Sequence, residues 1–501
     1  MQTDFEQFAQ IYARGEAQIL ATTLVADLET PVSAYLKIAG DRPNAFLLES
    51  VEGGETRGRY SMIGLDPDVI WRANGDTAEI NRRAQTDKTA FEPCGEPPLT
   101  ALRALLAESA IPLPEGAPPM AAGVFGYLGY DMVRQMERLS PAKADPIGVP
   151  EALLIRPTIM VVFDAVKDEI TAVTPVRPQP GVPARAAFEA AMERLEGIVA
   201  SLERPVAHPA PEPFHGHVEA VSNTGEAEFC AMVDKAKDYI RAGDIFQVVL
   251  SQRFESPFTL PPFTLYRALR RINPAPFLVY LNFDGFSVVC SSPEILVRLR
   301  DGKVTIRPIA GTRRRGASPG EDDALASELL ADPKERAEHL MLLDLGRNDV
   351  GRVSRIGTVE VTDSFFIERY SQVMHIVSNV EGKVDPRFDA LDALAAGFPA
   401  GTVSGAPKVR AMQIIDELEK DKRGIYAGAI GYFGANGEMD TCIVLRTAVV
   451  KDGRMYVQAG AGLVYDSVPL SEHQECINKA KALFRAGEEA VRFAARSGRG
   501  Q

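Results

Sequence analysis

Apolar residues recur along this chain with two different periods, and the switches between them lay out its elements. Residues 46–50 form an apolar run that reads as a buried strand entering a turn at Gly53 and Gly54. Residues 59–80 predict two strands joined at Asn74-Gly75, a dipeptide suited to a tight hairpin. Helical spacing returns over residues 99–109. Residues 121–130, AAGVFGYLGY, predict a close-packed turn, because the spacing of their glycines fits no phosphate-binding fingerprint. A hairpin around Lys167 and Asp168 follows over residues 155–173, and a helix over about 183–204 closes a first domain, residues 1–204. The stretch PVAHPAPEP begins a linker spanning residues 205–220.

The second domain, residues 221–495, opens with a helix whose apolar positions, from Phe229 to Ile240, keep helical spacing. Residues 244–254 read as a strand, and residues 277–283 and 286–290 as a hairpin turning at Asp284-Gly285. Residues 304–309 predict a strand ending in a loop, AGTRRRG. Residues 427–457 predict a three-strand meander that turns at Asn436-Gly437 and Asp452-Gly453. It leads into a tight loop, Gly460-Ala461-Gly462. The layout is α+β: two intertwined domains of mostly antiparallel strands, packed as a sandwich with helices outside.

Two helix starts carry acidic pairs. Asp332 is placed to cap a helix, with Pro333 at its first position and Glu335 at the capping-box position. Ala337, Leu340 and Met341 mark an apolar stripe, and Gly346 a stop. Glu335 and Glu338, three apart, share a face. Ser471 and Gln474 repeat the design, with Glu472 and Glu475 on one face. Each pair alone also reads as a cap beside a solvated carboxylate. Together they offer four hard oxygen ligands, a set suited to Mg²⁺ before Ca²⁺.

Composition narrows the function classes. The 501 residues are 46% hydrophobic and 25% charged, ample for a large core, and the net charge of −13 argues against nucleic-acid or anionic-membrane partners. No apolar run suits a signal or a membrane span, and five scattered cysteines fit neither a metal site nor a disulfide framework, as expected of a cytoplasmic protein. The arginine run after Ile309 reads either as a solvated basic turn or as an anion cradle. Arg446, in the apolar stretch TCIVLRTAVV, would be costly to bury without an anion. A hard cation beside anion-binding donors suits a small polycarboxylate.

These stretches resemble the chorismate-utilising enzymes, and within them the anthranilate synthase component I family. The resemblance covers nearly the whole chain. It rests on LLES (47–50), GDIFQVVLSQRF (243–254), NPAPFLVYL (273–281), SSPE (291–294), PIAGTRRRG (308–316), DPKERAEHLMLLDLGRND (332–349), VMH (373–375), GTVSGAPKVRAM (401–412), YAGAIGYF (426–433), DTCIVLRT (440–447) and QAGAGLVYDSVP (458–469). It implies that Glu338 and Glu475 ligate Mg²⁺, with Glu335 and Glu472 close by. Gly311, Thr312, Tyr426, Arg446, Gly460, Ala461 and Gly462 would hold chorismate. Glu294 would be the general acid, Thr402 would position the ring, and His375 would serve the elimination of pyruvate; on the residues alone, His375 also reads as a core histidine and Thr402 as a helix cap. Hydroxylating relatives carry a water-activating lysine where this chain has Gln247, which fits ammonia as nucleophile. Relatives that aminate C4 carry a lysine where this chain has Ala310.

Ser50, Pro276, Phe277 and Leu278 would form a tryptophan effector pocket. Two departures stand out: Arg314 replaces a proline in GTRRRG, and NPAPFLVYL replaces the more usual NPSPYMFYL. The implied activity is conversion of chorismate and ammonia to anthranilate and pyruvate in tryptophan biosynthesis, within a heterotetramer. No cysteine has the setting of a glutaminase nucleophile, and about 25 residues after Glu475 leave no room for another domain. The ammonia is therefore expected from a separate glutamine amidotransferase subunit. The alternatives are 4-amino-4-deoxychorismate formation, isochorismate or salicylate formation, and an inactive effector-binding subunit, against which the four glutamates argue.

Overall fold

A computed structural model describes residues 4–52, 56–206, 219–370 and 373–494. The expected turn at Gly53 and Gly54 and most of the expected linker lie outside the described residues. The architecture is α+β, with 22 described strands joined in one hydrogen-bonded network and every strand pairing antiparallel. Early and late segments share this network directly. The strand Ala45–Glu52 pairs with Phe277–Phe283, and Gly123–Leu128 pairs with Ala429–Gly434. Both faces of Ala45–Glu52 are covered: Leu47 enters one core with Tyr35 and Tyr266, while Phe46 and Leu48 enter another with Phe125 and Val288. Alternate side chains point to opposite faces, so burial on both sides makes the strand read as an unbroken apolar run. No helix among the described residues is long and apolar enough to cross a membrane. All five cysteines are free.

Most expected elements form near their expected places, including the helices Pro98–Ser109, Ala184–Leu202 and Glu226–Arg241 and the turns near Asn74-Gly75 and Asn436-Gly437. Four local expectations do not hold. Residues 121–130 are not a turn: Gly123–Leu128 is a fully buried strand. Its glycines serve close approach between strands. Gly126 lies opposite Gly431, and a Cβ on Gly126 would sit 2.1 Å from the Leu153 carbonyl oxygen. The loop after Ile309 is instead a strand, Ile309–Arg314, paired with Val373–Lys383. The glycines at 460 and 462 fall within the strand Arg454–Leu463. The meander is broken, because Met439–Ile443 pairs with Ala429–Gly434 while Thr447–Lys451 pairs with Phe286–Ser292 and Arg454–Leu463. Arg446 makes that break with a left-handed backbone, φ 48°.

The two acidic helices also differ in detail from expectation. Asp332 caps Pro333–Gly351 by accepting from the backbone of Lys334 and Glu335. The helix runs through Gly346, which packs against Pro308, Ile306 and Val380. Its buried stripe is His339, Leu342, Leu343 and Val350, whereas Leu340 is 51% exposed and Ala337 is also exposed. The second helix, Pro469–Ala494, starts two residues before Ser471, so Ser471 lies inside the first turn rather than capping it.

Candidate functional site

A cavity of about 560 Å³ opens where both acidic helices begin. That volume suits a small organic ligand. Its walls come from strands and turns far apart in sequence: Gln247 and Val249, Glu294, Gly311 and Thr312, His375, Thr402, Tyr426, Arg446, Gly460 and Gly462. Glu335, Glu338, Glu472 and Glu475 line it too. Ala461 does not; its side chain turns into the apolar core, one position out of phase with the glycines beside it. The glycines are needed for room. A Cβ on Gly462 would sit 2.8 Å from Gln247 Nε2, and one on Gly460 2.8 Å from the Tyr426 hydroxyl.

Glu294 follows the strand Phe286–Ser292 and is buried. Burial pushes its carboxyl up to about 8, against the Thr402 hydroxyl, which donates to both carboxyl oxygens at 3.2 and 3.3 Å. The acid is thus held protonated at neutral pH with a donor already beside it. Thr402 belongs to a short turn, Gly401–Val403, and does not cap the following helix, whose N-terminal residue is Pro407. The Arg446 guanidinium makes no hydrogen bond or ion pair among the described residues, although its backbone carbonyl accepts from the Ser291 N–H at 3.2 Å, and burial lowers the side chain's affinity for its proton. A charge held in that way is matched to an anion entering the cavity.

His375 is 8% exposed, and burial pulls it down to about 4, so it is neutral. Its Nδ1 lies 2.9 Å from the Gly311 carbonyl oxygen and 3.1 Å from the Thr312 hydroxyl. A carbonyl only accepts, so Nδ1 carries the proton and Nε2 keeps its lone pair. Gln247 is 3% exposed, and its Oε1 is buried with no hydrogen-bond partner. An orphan acceptor on a cavity wall is costly unless a ligand donor meets it.

The carboxylates share the cavity without forming a closed cluster. Glu335 does not complete a capping box; it takes Arg313 at 3.2 Å, and Glu475 takes Lys479 at 2.7 Å. Among the described residues no three His, Cys, Asp or Glu are gathered closely enough to hold an ion. Glu338 and Glu472 have neither pairing, and both carboxyls are pushed up, by burial and then by neighbouring carboxylates, Glu335 and Glu475 for Glu338 and Glu475 for Glu472. A Ser467 hydrogen bond works against the shift at Glu472. Crowded carboxyls with only oxygen donors fit a hard cation that keeps waters in its shell. The three arginines are not an anion cradle. Arg313 binds Glu328, Asp332 and Glu335, Arg314 binds Glu321, and Arg315 binds Asp322. Lys334 and Lys479 also line the cavity, and Lys479 donates to the Gly460 carbonyl at 2.9 Å. The sequence reading missed both lysines; Lys479 sits one turn after Glu475, which was the available signal.

The four expected effector residues lie away from this cavity. Ser50 stands opposite Phe277 and Glu49 opposite Leu278 in adjacent strands, with Pro276 just before them. Glu49, also missed, is buried and accepts from Arg270 at 2.7 and 2.9 Å and from Tyr266 at 2.5 Å.

Residues 44–485 match the family described as chorismate binding enzyme. Over 99% of its length the chain is 58% identical to anthranilate synthase component 1 of Cereibacter sphaeroides, whose whole length it covers. It is 48% identical to that of Pseudomonas putida, over 96% of this chain and 97% of the relative. The crystal structure of anthranilate synthase component I from Streptococcus pneumoniae superposes with a TM-score of 0.76 at 36% identity, covering 92% of this chain and 99% of that one. The menaquinone-specific isochorismate synthase of Escherichia coli shares the fold, with a TM-score of 0.71 at 19% identity over 96% of this chain and 98% of that one. The chain belongs to the chorismate binding enzymes.

Proposed function

We propose that this chain works as the large component of an anthranilate synthase, aminating chorismate at C2 and then expelling pyruvate. The observation that carries the reading is the pairing, in one cavity, of a protonated carboxyl at Glu294 with an unpaired guanidinium at Arg446. Chorismate carries two carboxylates and an allylic C4 hydroxyl. Arg446 supplies a counter-charge for one carboxylate, and the Glu338–Glu475 side of the cavity suits the other through Mg²⁺. Bound there, Mg²⁺ would offset the carboxylate charge and draw electron density from the ring.

Ammonia bonds to C2, both ring double bonds shift by one position, to C1=C6 and C4=C5, and the C4–O bond breaks. Glu294 donates the proton that lets the oxygen leave as water. Its carboxylate is then stabilised by Thr402 and Arg446. Gln247 cannot take a proton from water, so it offers no base for hydroxylation, but its orphan Oε1 can accept from an ammonia N–H. In the second half, His375 Nε2 takes the C2 proton, the bond from C3 to the enolpyruvyl oxygen breaks, and the ring becomes aromatic. Ala310 lies on the cavity wall and has no nucleophile for attack at C4.

The test is to incubate the pure chain with chorismate, Mg²⁺ and either ammonium at alkaline pH or glutamine. Anthranilate and pyruvate are expected from ammonium. Glutamine should give product only after a glutamine amidotransferase subunit is added. Isolation of 4-amino-4-deoxychorismate or isochorismate as the end product would refute the reading.

Feedback by tryptophan is part of the proposal. What supports it is that Ser50 and Phe277 face each other across paired strands from the early and late segments. Tryptophan should inhibit, and a bulky residue at Ser50 should weaken inhibition by about 10-fold or more without lowering uninhibited kcat. Parent enzyme indifferent to millimolar tryptophan would contradict this.

A further inference from the structure

Behind the cavity wall, one guanidinium ties together segments that carry the reacting groups. Arg423 follows the helix Lys408–Leu418 and is 3% exposed. Its Nη1 donates to the Val403 carbonyl at 2.6 Å, and its Nη2 to the Val249 carbonyl at 2.6 Å. Glu419 accepts from Nε at 3.0 Å and from Nη2 at 2.6 Å. Glu419 also accepts from the Ser251 backbone and hydroxyl at 2.8 and 2.9 Å, and that hydroxyl accepts from Gln458 at 2.8 Å. The guanidinium lies over the rings of Tyr130 and Tyr426, 4.8 and 5.5 Å from their centroids. Val249, Val403, Tyr426 and Gln458 all line the cavity.

A buried ion pair is a weak device for stability, since desolvation of both charges offsets their attraction. It is a strong device for orientation when, as here, a planar fork meets three acceptors on separate segments. Val403 is the neighbour of Thr402, whose hydroxyl rests on Glu294. We propose that Arg423, held by Glu419, is a positioning residue for the proton donor: it fixes the Gly401–Val403 turn against the strand Gln247–Pro257 so that Thr402 stays on the Glu294 carboxyl. This rests on the reading of Glu294 as general acid.

A lysine ammonium has three donors, but they share one nitrogen that cannot stand at the separate positions of Nε, Nη1 and Nη2. Arg423→Lys is therefore expected to lower kcat roughly 10- to 100-fold, the usual cost of a misplaced catalytic group, with the chorismate KM nearly unchanged. The alkaline limb of the kcat profile should move to higher pH, because losing the Thr402 contact removes a bond that favours ionised Glu294. Thr402→Ala should move it in the same direction. The double variant should lose little more than the worse single variant, since both act on one contact. Losses that multiply, or a limb that stays in place, would overturn the proposal. Glu419→Gln, nearly isosteric, repeats the cycle if Arg423→Lys is recovered unfolded. Glu294→Gln is measured alongside: parent-like kcat there would remove the acid assignment itself, whereas an inactive Glu294→Gln with multiplying losses removes only the role of Arg423.

Discussion

Glu294→Gln is expected to reduce kcat by roughly 10²- to 10⁴-fold, the range for loss of a general acid, with little change in chorismate affinity. The amide keeps the shape of the side chain and can still accept from Thr402, but it cannot deliver a proton to the departing hydroxyl. The same assignment sets the pH dependence. Glu294 works protonated, and burial places its carboxyl at about 8. At fixed free ammonia, kcat should hold through neutral pH and fall as pH rises through about 8. His375 works neutral and is held at about 4, so loss on the acid side should appear only as pH falls toward that value. The alkaline limb should vanish from whatever activity Glu294→Gln retains. A variant with parent-like kcat would remove Glu294 from the chemistry.

Glu338→Gln and Glu475→Gln are each expected to abolish turnover at ordinary Mg²⁺ concentrations. The physical signature lies in the metal-free protein. The Glu338 carboxyl is pushed up by burial and by Glu335 and Glu475. A carboxyl whose folded pKa exceeds its unfolded value holds its proton longer in the fold. Its contribution is therefore present at low pH and is lost as pH rises through the folded pKa, leaving a cost at neutral pH. Removing that charge should leave the metal-free Glu338→Gln variant at least as stable as the parent at neutral pH. Mg²⁺ should stabilise the parent by about 2.7 kcal/mol at a hundredfold excess over its Kd, and either variant far less. A melting series with and without Mg²⁺ checks both statements. Equal Mg²⁺ stabilisation of parent and variants, or near-normal turnover, would move the metal elsewhere.

Local chemistry wrote several features directly into the sequence. The Asp332 cap before Pro333 and the hairpin near Asn74 are decided within a few residues; the cap forms as read, and the hairpin turns one residue later than read, at Gly75-Asp76, because Asn74 pairs with Thr77. Side-chain identity alone distinguishes Gln247 and Ala310 from the lysines that other chemistries require. Tertiary structure decided the rest, because the forces responsible act between distant segments. Ile309–Arg314 is a strand rather than a loop only because Val373–Lys383 pairs with it. A helix passes through Gly346, despite a propensity cost of about 1 kcal/mol, because Pro308 packs where a side chain would stand. The arginines after Gly311 spend their charge on acidic partners that the sequence does not place beside them. Glu294 in SSPE looks like any loop glutamate; burial and the Thr402 hydroxyl, 108 residues away, make it an acid. Arg423 reads as one more basic residue in a polar stretch, and only the fold brings Val249, Val403 and Glu419 to its three donor nitrogens.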